Sequence, residues 1–319
     1  MLDVNGMRTL DIISLGEPMV EFCATSAGSL KEISLFERGW GGDTSNMTVS
    51  AARLNKSCGY ICRLGDDEFG KSFLEMWRRE NVDASRVIVE EGSFTGVYFV
   101  SLVNGGKHDF TYYRKDSAAS HLSPEDLDPD YIKQSKIFHS SGISQAISES
   151  CKEAVFKAAE IAKGAGKMFS FDPNIRLKLW PINTARSVIS YTLEMTDIAM
   201  PSTEDAKIIT GYSSPEEAAK CILKKGPRIV AIKLGAEGCL VMTEDEKFKV
   251  PGFDVRVVDT TGAGDAFDAA FLTAILEGLS MEKAAEFANA VAALKSRGRG
   301  AVIPLPTRRE VEEFFNSSG

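Results

Sequence analysis

The stretch from Asp259 to Phe271 combines a turn of small residues with a carboxylate. It runs Asp-Thr-Thr-Gly-Ala-Gly-Asp-Ala-Phe-Asp-Ala-Ala-Phe, and apolar residues recur at helical spacing after Gly264. A helix that starts in such a turn leaves several backbone N–H groups unpaired, and glycine lets an anion approach them closely. The sequence therefore predicts an anion site formed by Gly262, Ala263 and Gly264.

Asp265 follows directly on this turn. A carboxylate there can accept the proton of a hydroxyl that attacks phosphorus, an effect worth about 10² to 10⁴ in rate, or it can simply cap the helix. The turn alone leaves both interpretations open. Since a helix dipole contributes only about 0.3 to 2 kcal/mol, a polyphosphate there would also need a divalent cation, for which Mg²⁺ is the natural candidate. The Gly-Lys-Ser/Thr ending of a Walker A loop is missing.

The elements that must position these groups follow an alternating pattern. Asp11 to Leu15 is a short apolar run stopped by Gly16, which predicts a buried strand. From about Glu125 onward, apolar runs alternate with helical patterns, which favours βαβ units and a parallel sheet with helices on both faces. The run Val255 to Val258, just before the glycine turn, is also predicted to be a strand.

A small β-sheet is expected in addition. Val97 to Val103 and Phe110 to Arg114 are strand-like and are separated by Asn104-Gly105-Gly106, a strong hairpin signal. We therefore expect one α/β domain over residues 1–319, with a β lid formed by about 17–40 and 93–116.

Composition restricts the class of protein further. The chain has 319 residues, 44% hydrophobic and 26% charged, which excludes fibrous and low-complexity proteins. Its net charge of -8 argues against a nucleic-acid partner. We expect a cytoplasmic protein without a membrane partner, because neither a signal peptide pattern nor a long apolar stretch occurs. The six cysteines form no C-x-x-C pair and predict reduced, structural thiols; His108, His121 and His139 are isolated and are not expected to bind metal.

Two distant motifs together resemble the PfkB, or ribokinase-like, family of carbohydrate kinases. Asp259 to Phe267 matches the family's D-T-x-G-A-G-D-x-F signature, and Trp40 to Asn46 contains its G-G-x-x-x-N signature. Gly65 to Gly70, Asp172 to Arg176 and Leu234 to Gly238 match further motifs in the expected order. The resemblance implies a three-layer α/β/α sandwich with a central, mainly parallel sheet and a small β-sheet lid, and it implies an ATP-dependent sugar kinase.

The resemblance also implies roles for single residues. Asp265 would be the general base beside the anion hole, and Gly42 and Asn46 would contact the sugar. The residues that would lie beside the nucleotide are Lys233, Gly235, Gly238 and Asn289.

One family motif departs from its usual form. Where the family has N-x-x-E, this chain has Ser202 and Asp205. The carboxylate is one methylene shorter, so a contact of Asp205 to the metal through water is expected, while the role of Ser202 stays open. The cofactors implied are ATP and Mg²⁺, with a K⁺ requirement left open, and the implied assembly is a homo-oligomer, either a dimer through the lid or larger.

The choice of sugar depends on Tyr112 and Arg114. On a strand both side chains project to one face, and the planar fork of arginine matches a carboxylate, although a solvated strand face would show the same pattern. The segment resembles the 2-keto-3-deoxygluconate kinase branch of the family, in which Arg176 and Gly42 would complete the substrate set.

Three other functions share part of this pattern. A fructokinase or ribokinase-like enzyme for a neutral sugar is the nearest one, although Glu21 is longer than the aspartate common in such enzymes. A catalytically silent sugar sensor would lack the base or the anion hole, and both are present. A nicotinamide dehydrogenase would have G-x-G-x-x-G after its first strand, whereas Gly16-Glu17-Pro18 stands here.

Overall fold

The computed structural model describes residues 9–103 and 107–318, and within this part it contains thirteen strands and eleven α-helices. The strands are β1 Leu10–Leu15, β2 Met19–Ala27, β3 Phe36–Gly41, β4 Cys58–Gly65, β5 Asp83–Glu90, β6 Val97–Val103, β7 Lys107–Tyr113, β8 Ser135–Ser141, β9 Met168–Asp172, β10 Ile198–Ala199, β11 Ile229–Lys233, β12 Cys239–Met242 and β13 Lys247–Val250. The helices are α1 Asp43–Arg53, α2 Glu68–Arg79, α3 Pro129–Ile132, α4 Gly142–Ala146, α5 Glu149–Gly164, α6 Ile182–Met195, α7 Thr203–Thr210, α8 Pro215–Leu223, α9 Ala263–Leu276, α10 Met281–Lys295 and α11 Arg308–Ser318.

Nine strands form the large sheet in the order β13-β12-β11-β10-β9-β8-β1-β4-β5. The seven strands from β11 to β5 pair in parallel, and β12 and β13 pair antiparallel at one edge. The chain moves from β1 to β4 in one direction and later returns to β8 on the other side. The mainly parallel α/β fold predicted from the alternating pattern is confirmed.

Helices cover both faces of this sheet because successive residues of a strand point to opposite faces. In β1, Ile12 belongs to the core beneath α1, α2, α9 and α10, whereas Ile13 belongs to the core beneath α5, α6 and α8. Both residues are fully buried. The two cores make the three layers, helix on sheet on helix, that a sheet apolar on both faces requires.

The smaller sheet has the order β3-β2-β6-β7. Its outer pairs are antiparallel, and β2 and β6 are parallel. The predicted turn Asn104-Gly105-Gly106 and the side chain of His108 lie outside the described residues, but the strands on either side pair as a hairpin requires. One apolar face of this sheet contains Met19, Tyr98 and Val100.

The strand predicted at Val255 to Val258 is wrong. No strand covers these residues, and Val257 and Val258 are 58% and 51% exposed. The Val258 N–H donates to the carbonyl of Ser296 at the end of α10 instead of to a neighbouring strand. A β-branched run forms a strand only where another strand offers a ladder, and here the chain has already left the sheet edge at Val250.

Within the described residues, no helix combines the length and the apolar character needed to cross a bilayer.

Candidate active site

The predicted site lies at one edge of the large sheet. Strands β9 and β11 are parallel, so their carboxyl ends, Asp172 and Lys233, meet at the same edge, where open α/β sheets bind ligands. The start of α9 adjoins this edge, since a Cβ added to Gly264 would lie 3.6 Å from Lys233 Nζ. The structure thus brings the glycine turn and Lys233 together.

The turn at the start of α9 has the geometry of an anion cradle. Gly262 is the N-cap residue in the left-handed region (φ 78°), and no side chain caps the helix. The Ala263 N–H donates to the carbonyl of Thr260, and the next amides, of Gly264 and Asp265, have no side-chain cap and are open to an external acceptor. The hydroxyl of Thr261 is buried beside them without a hydrogen-bond partner within the described structure. A ligand with oxygen acceptors would satisfy both features.

Asp265 lies in the first turn of α9 and is buried. Its Oδ2 accepts a hydrogen bond of 2.7 Å from Nδ2 of Asn46 in α1. Burial, reinforced by the nearby carboxylate of Asp43, raises the pKa of Asp265 to about 7. The Oδ1 of Asn46 is buried and has no partner in the described part of the chain. It is therefore placed to accept from a ligand hydroxyl next to the carboxylate.

Lys233 is held between two carboxylates. Its Nζ lies 2.9 Å from Asp172 Oδ2 and 3.1 Å from Asp268 Oδ1. Burial disfavours the ammonium, but Asp172 and Asp268 more than compensate and raise the pKa of Lys233 above its usual range. A permanent cation therefore lies beside the cradle at Gly264.

The predicted substrate residues converge from two segments. Tyr112 is on β7, and the guanidinium carbon of Arg114 lies 5.6 Å from its ring centre. Arg176 follows β9 and its Nη1 donates to the carbonyl of Ile175. The charge of Arg176 acts on both Tyr112 and Arg114, which places the three side chains in one region.

Arg114 has an acidic partner that the sequence did not reveal. Its Nη2 forms an ion pair with Oε2 of Glu17, whose side chain is fully buried. Burial, together with the charge of Arg176, lowers the pKa of Arg114 to about 10. Arg114 Nε and Glu17 Oε1 are buried without partners among the described residues.

Two of the predicted glycines are required by close packing. Gly42, the N-cap of α1, has φ 99°, and a Cβ there would lie 2.2 Å from the carbonyl oxygen of Glu17. Gly238 has φ 95°, and its Cβ would lie 2.1 Å from the carbonyl oxygen of Val250. Gly235 has φ 64° but open space around it. The fold explains Gly42 and Gly238 without any ligand, so their binding roles stay predictions.

Asn289 and Asp205 form internal hydrogen bonds. Asn289 Nδ2 donates to the carbonyls of Val250 and Pro251 and ties α10 to the end of β13. Asp205 Oδ2 accepts from the amide and hydroxyl of Ser202, in a capping box at the start of α7, and its Oδ1 accepts from the amide of Ile175. Ser202 is thus a helix cap.

The described residues contain no group of three or more His, Cys, Asp or Glu side chains that could hold a metal ion. A Mg²⁺ ion bound through nucleotide phosphates would keep most of its water, which is its usual mode of binding. The water-mediated contact to Asp205 stays a prediction.

Sequence reasoning missed several residues of this region. Asp43 and Asp172 lie inside motifs that were recognised for their glycines and asparagine, and Asp268 stands one helical turn after Asp265. That spacing was the available signal, because residues three apart share a helix face. Glu17 gave no signal, since its partner Arg114 is 97 positions away.

The sheet topology and the helix terminus that carries Asp265 define the ribokinase-like class of phosphotransferases. A family model described as pfkB family carbohydrate kinase matches residues 9–308. The chain belongs to this family, and the reaction class expected from the sequence, transfer of a phosphoryl group to a sugar hydroxyl, is confirmed.

Individual relatives agree on the class and differ in the sugar. The chain is 37% identical over 97% of its length to a 2-dehydro-3-deoxygluconokinase of Bacillus subtilis (strain 168), 96% of which is covered. It is 36% identical over 96% of its length to fructokinase-1 of Oryza sativa subsp. japonica, 98% of which is covered. An E. coli protein provisionally described as ribokinase II, solved with ATP and Mg²⁺, superposes with a TM-score of 0.90 at 31% identity, covering 97% of this chain and 99% of that one.

Proposed function

We propose that the protein transfers the γ-phosphoryl group of ATP to the primary hydroxyl of 2-keto-3-deoxygluconate, giving the 6-phospho product. The observation that carries this proposal is the buried carboxylate of Asp265, held by Asn46 beside the open amides of α9. The Bacillus subtilis relative, named for this sugar acid, and the relative solved with ATP and Mg²⁺ support the choice of substrates.

Asp265 acts as the general base. As the sugar oxygen forms its bond to the γ-phosphorus, the bond from that phosphorus to the bridging oxygen of ADP breaks, and the hydroxyl proton passes to the Asp265 carboxylate. The buried Oδ1 of Asn46 accepts from the same hydroxyl or its neighbour. A base whose pKa lies near neutrality is well matched to proton transfer at physiological pH.

The transferring phosphoryl group rests on the amides of Gly262, Ala263 and Gly264. These amides and the ammonium of Lys233 stabilise negative charge that develops on its oxygens. Lys233, Gly235, Gly238 and Asn289 are proposed to border the nucleotide. Mg²⁺, when bound, would supply further neutralisation of the phosphates, and Asp205 would hold it through water.

The sugar acid is fixed by the opposite side of the site. Gly42 and Asn46 contact hydroxyls, and Tyr112, Arg114 and Arg176 bind the carboxylate. Glu17 pairs with Arg114, and the charge of Arg176 also acts on Asp43, but Arg176 forms no salt bridge within the described residues and is available to a substrate anion. This available guanidinium favours an acidic sugar over a neutral one.

The ion pair between Arg114 and Glu17 also favours a second candidate, a fructokinase activity. If Glu17 neutralises Arg114 fully, the site needs no anionic substrate, and the rice fructokinase relative is as similar as the Bacillus subtilis one. The two candidates differ in what they require of Arg114.

Turnover of a panel of sugars and sugar acids, followed by ADP release, separates the candidates. For the wild type we expect 2-keto-3-deoxygluconate to give the highest kcat/KM. Arg114→Ala should lose acid-sugar turnover selectively, while Arg228→Ala, at an exposed arginine outside the site, serves as a matched control. Equal effects of Arg114→Ala on neutral and acidic sugars would overturn the sugar-acid assignment. Running the panel in KCl and in NaCl tests a K⁺ requirement.

We further propose a cytoplasmic homo-oligomer that assembles through the smaller sheet, its lid. Leu35, which directly precedes β3, and Tyr113 on β7 are 70% and 62% exposed, which is unusual for large apolar side chains and suits an interface. Sedimentation of wild type and Tyr113→Lys would test the assembly, and an unchanged wild-type oligomer in the variant would argue against this surface.

A further inference from the structure

Lys295, at the end of α10, is a lysine without any exposed surface. Its Nζ donates a hydrogen bond of 2.8 Å to the backbone carbonyl of Asp259. Lysine is almost never fully buried unless it is paired. Burial lowers the pKa of Lys295, while the carboxylates of Asp259 and Glu21 favour its charged form. The burial of a lysine at this position therefore needs a functional or structural explanation.

Asp259 is the residue from which the phosphate cradle starts. Its Oδ1 accepts from the amide of Thr261 at 2.8 Å, and its Oδ2 accepts from the amide of Gly300 at 2.8 Å. Its own amide donates to the carbonyl of Ser296. With Lys295 on its carbonyl, Asp259 is held on its backbone and on its side chain. The orientation of the following turn, up to Gly262, depends on these contacts.

The same region also contacts the smaller sheet. Glu21 of β2 is buried, its Oε2 accepts from the amide of Ala301 at 3.2 Å, and its Oε1 accepts from the hydroxyl of Tyr98 at 2.8 Å. Gly262 packs against this segment, since a Cβ there would lie 3.2 Å from the carbonyl oxygen of Ala301. The segment 296–301 therefore connects the small sheet to the base of the cradle.

We propose that Lys295 is a positioning residue for phosphoryl transfer: its buried ammonium fixes the carbonyl of Asp259 and so sets the direction of the amides at Gly262 to Gly264. This inference rests on the proposed function of those amides. Lys295 has no hydrogen bond to the general base or the sugar residues in the described network, although the Asp265 carboxylate also favours its charged form. Because its hydrogen bond goes to Asp259, its main effect should fall on the nucleotide side of the reaction.

Lys295→Met removes the charge and keeps the length of the side chain. We expect kcat to fall at least about tenfold or KM for MgATP to rise to the same extent, because small displacements of oxyanion donors are costly. KM for the sugar should stay within about twofold, since Lys295 is not in contact with the sugar residues. Lys283→Met, at an exposed position on the same helix, is the matched control.

If Lys295 were only structural, its loss would lower the melting temperature without a separate effect on turnover. Repeating the substitution in a Glu21→Gln variant distinguishes a structural role from a positioning role. Loss of Lys295 leaves Asp259 and Glu21 to repel each other. Glu21→Gln keeps a carbonyl for Ala301 and relieves that repulsion. The double variant Glu21→Gln with Lys295→Met should therefore regain melting temperature, but its turnover should stay at least about tenfold below that of Glu21→Gln alone.

Each of these measurements tests the positioning role of Lys295. Turnover in the double variant equal to that of Glu21→Gln would overturn the positioning role, as would an unchanged kcat/KM for MgATP in Lys295→Met. If Lys295→Met does not fold, the comparison within the Glu21→Gln background gives the answer. A failure of the proposed function is recognised separately, because then Asp265→Asn would retain normal turnover whatever Lys295 does.

Discussion

The side-chain amide of Asn46 donates a hydrogen bond of 2.7 Å to the carboxylate of Asp265, although 219 positions separate the two residues in the chain. Asn46 belongs to α1, at the start of the chain, and Asp265 to α9, near its end. The contact joins the motif proposed to bind sugar to the motif proposed to bind phosphate. It holds one carboxylate oxygen in place and leaves the asparagine carbonyl for a substrate hydroxyl.

Asp265→Asn is expected to lower kcat at least about 100-fold with little change in sugar affinity, since an amide cannot accept the hydroxyl proton. Steady-state kinetics and calorimetric binding of the sugar measure the two quantities on the same preparation. Retention of most of the wild-type turnover would remove Asp265 from the role of base.

The pH profile should show an acid limb that reflects Asp265. Burial and Asp43 raise its pKa to about 7, so the base is protonated and inactive below that pH and available above it. We therefore expect kcat/KM to fall as the pH drops through neutrality. Asp43→Asn removes the repelling charge and should move the acid limb to lower pH. Because Asp265 stays buried, its pKa should still lie above that of an exposed aspartate. A limb that does not move in this variant would contradict the assignment.

Gly264→Ala tests the cradle without disturbing the fold. The added methyl group would meet Lys233 Nζ at 3.6 Å, an ordinary contact, and Gly264 has no positive φ. Because the methyl group would block the approach of a phosphate to the amides, we expect kcat/KM for MgATP to fall at least about tenfold with an unchanged melting temperature. Gly164→Ala, at an open helical position in α5, is the control and should change neither quantity much.

Ser202→Ala separates a helix cap from a catalytic group. Loss of the capping box at α7 should cost about 1 kcal/mol of unfolding free energy, seen as a lower midpoint in urea denaturation. Turnover should stay close to that of the wild type because Ser202 contacts Asp205 in its own helix turn. If turnover fell while stability held, Ser202 would instead belong to the chemistry.

Much of the fold could be predicted because its signals are local. The strand at β1 and the hairpin strands at β6 and β7 follow from periodicity and turn residues within a few positions. The strand predicted at Val255 to Val258 failed for the opposite reason, since only a neighbouring strand could have provided its hydrogen bonds. Likewise, Asn289 and Asp205 were recognised as functional candidates, but their partners among distant backbone groups could not be foreseen.

From the sequence alone came the family, the reaction class, the alternation of strands and helices and the glycine turn before Asp265, because each is written in short runs of neighbouring residues. Only the tertiary structure decided that Glu17 neutralises part of Arg114, that Asp172 and Asp268 hold Lys233, and that a buried Lys295 supports Asp259. These pairings depend on the distance between side chains after folding and on the loss of water around them. Neither quantity can be read from positions along the chain.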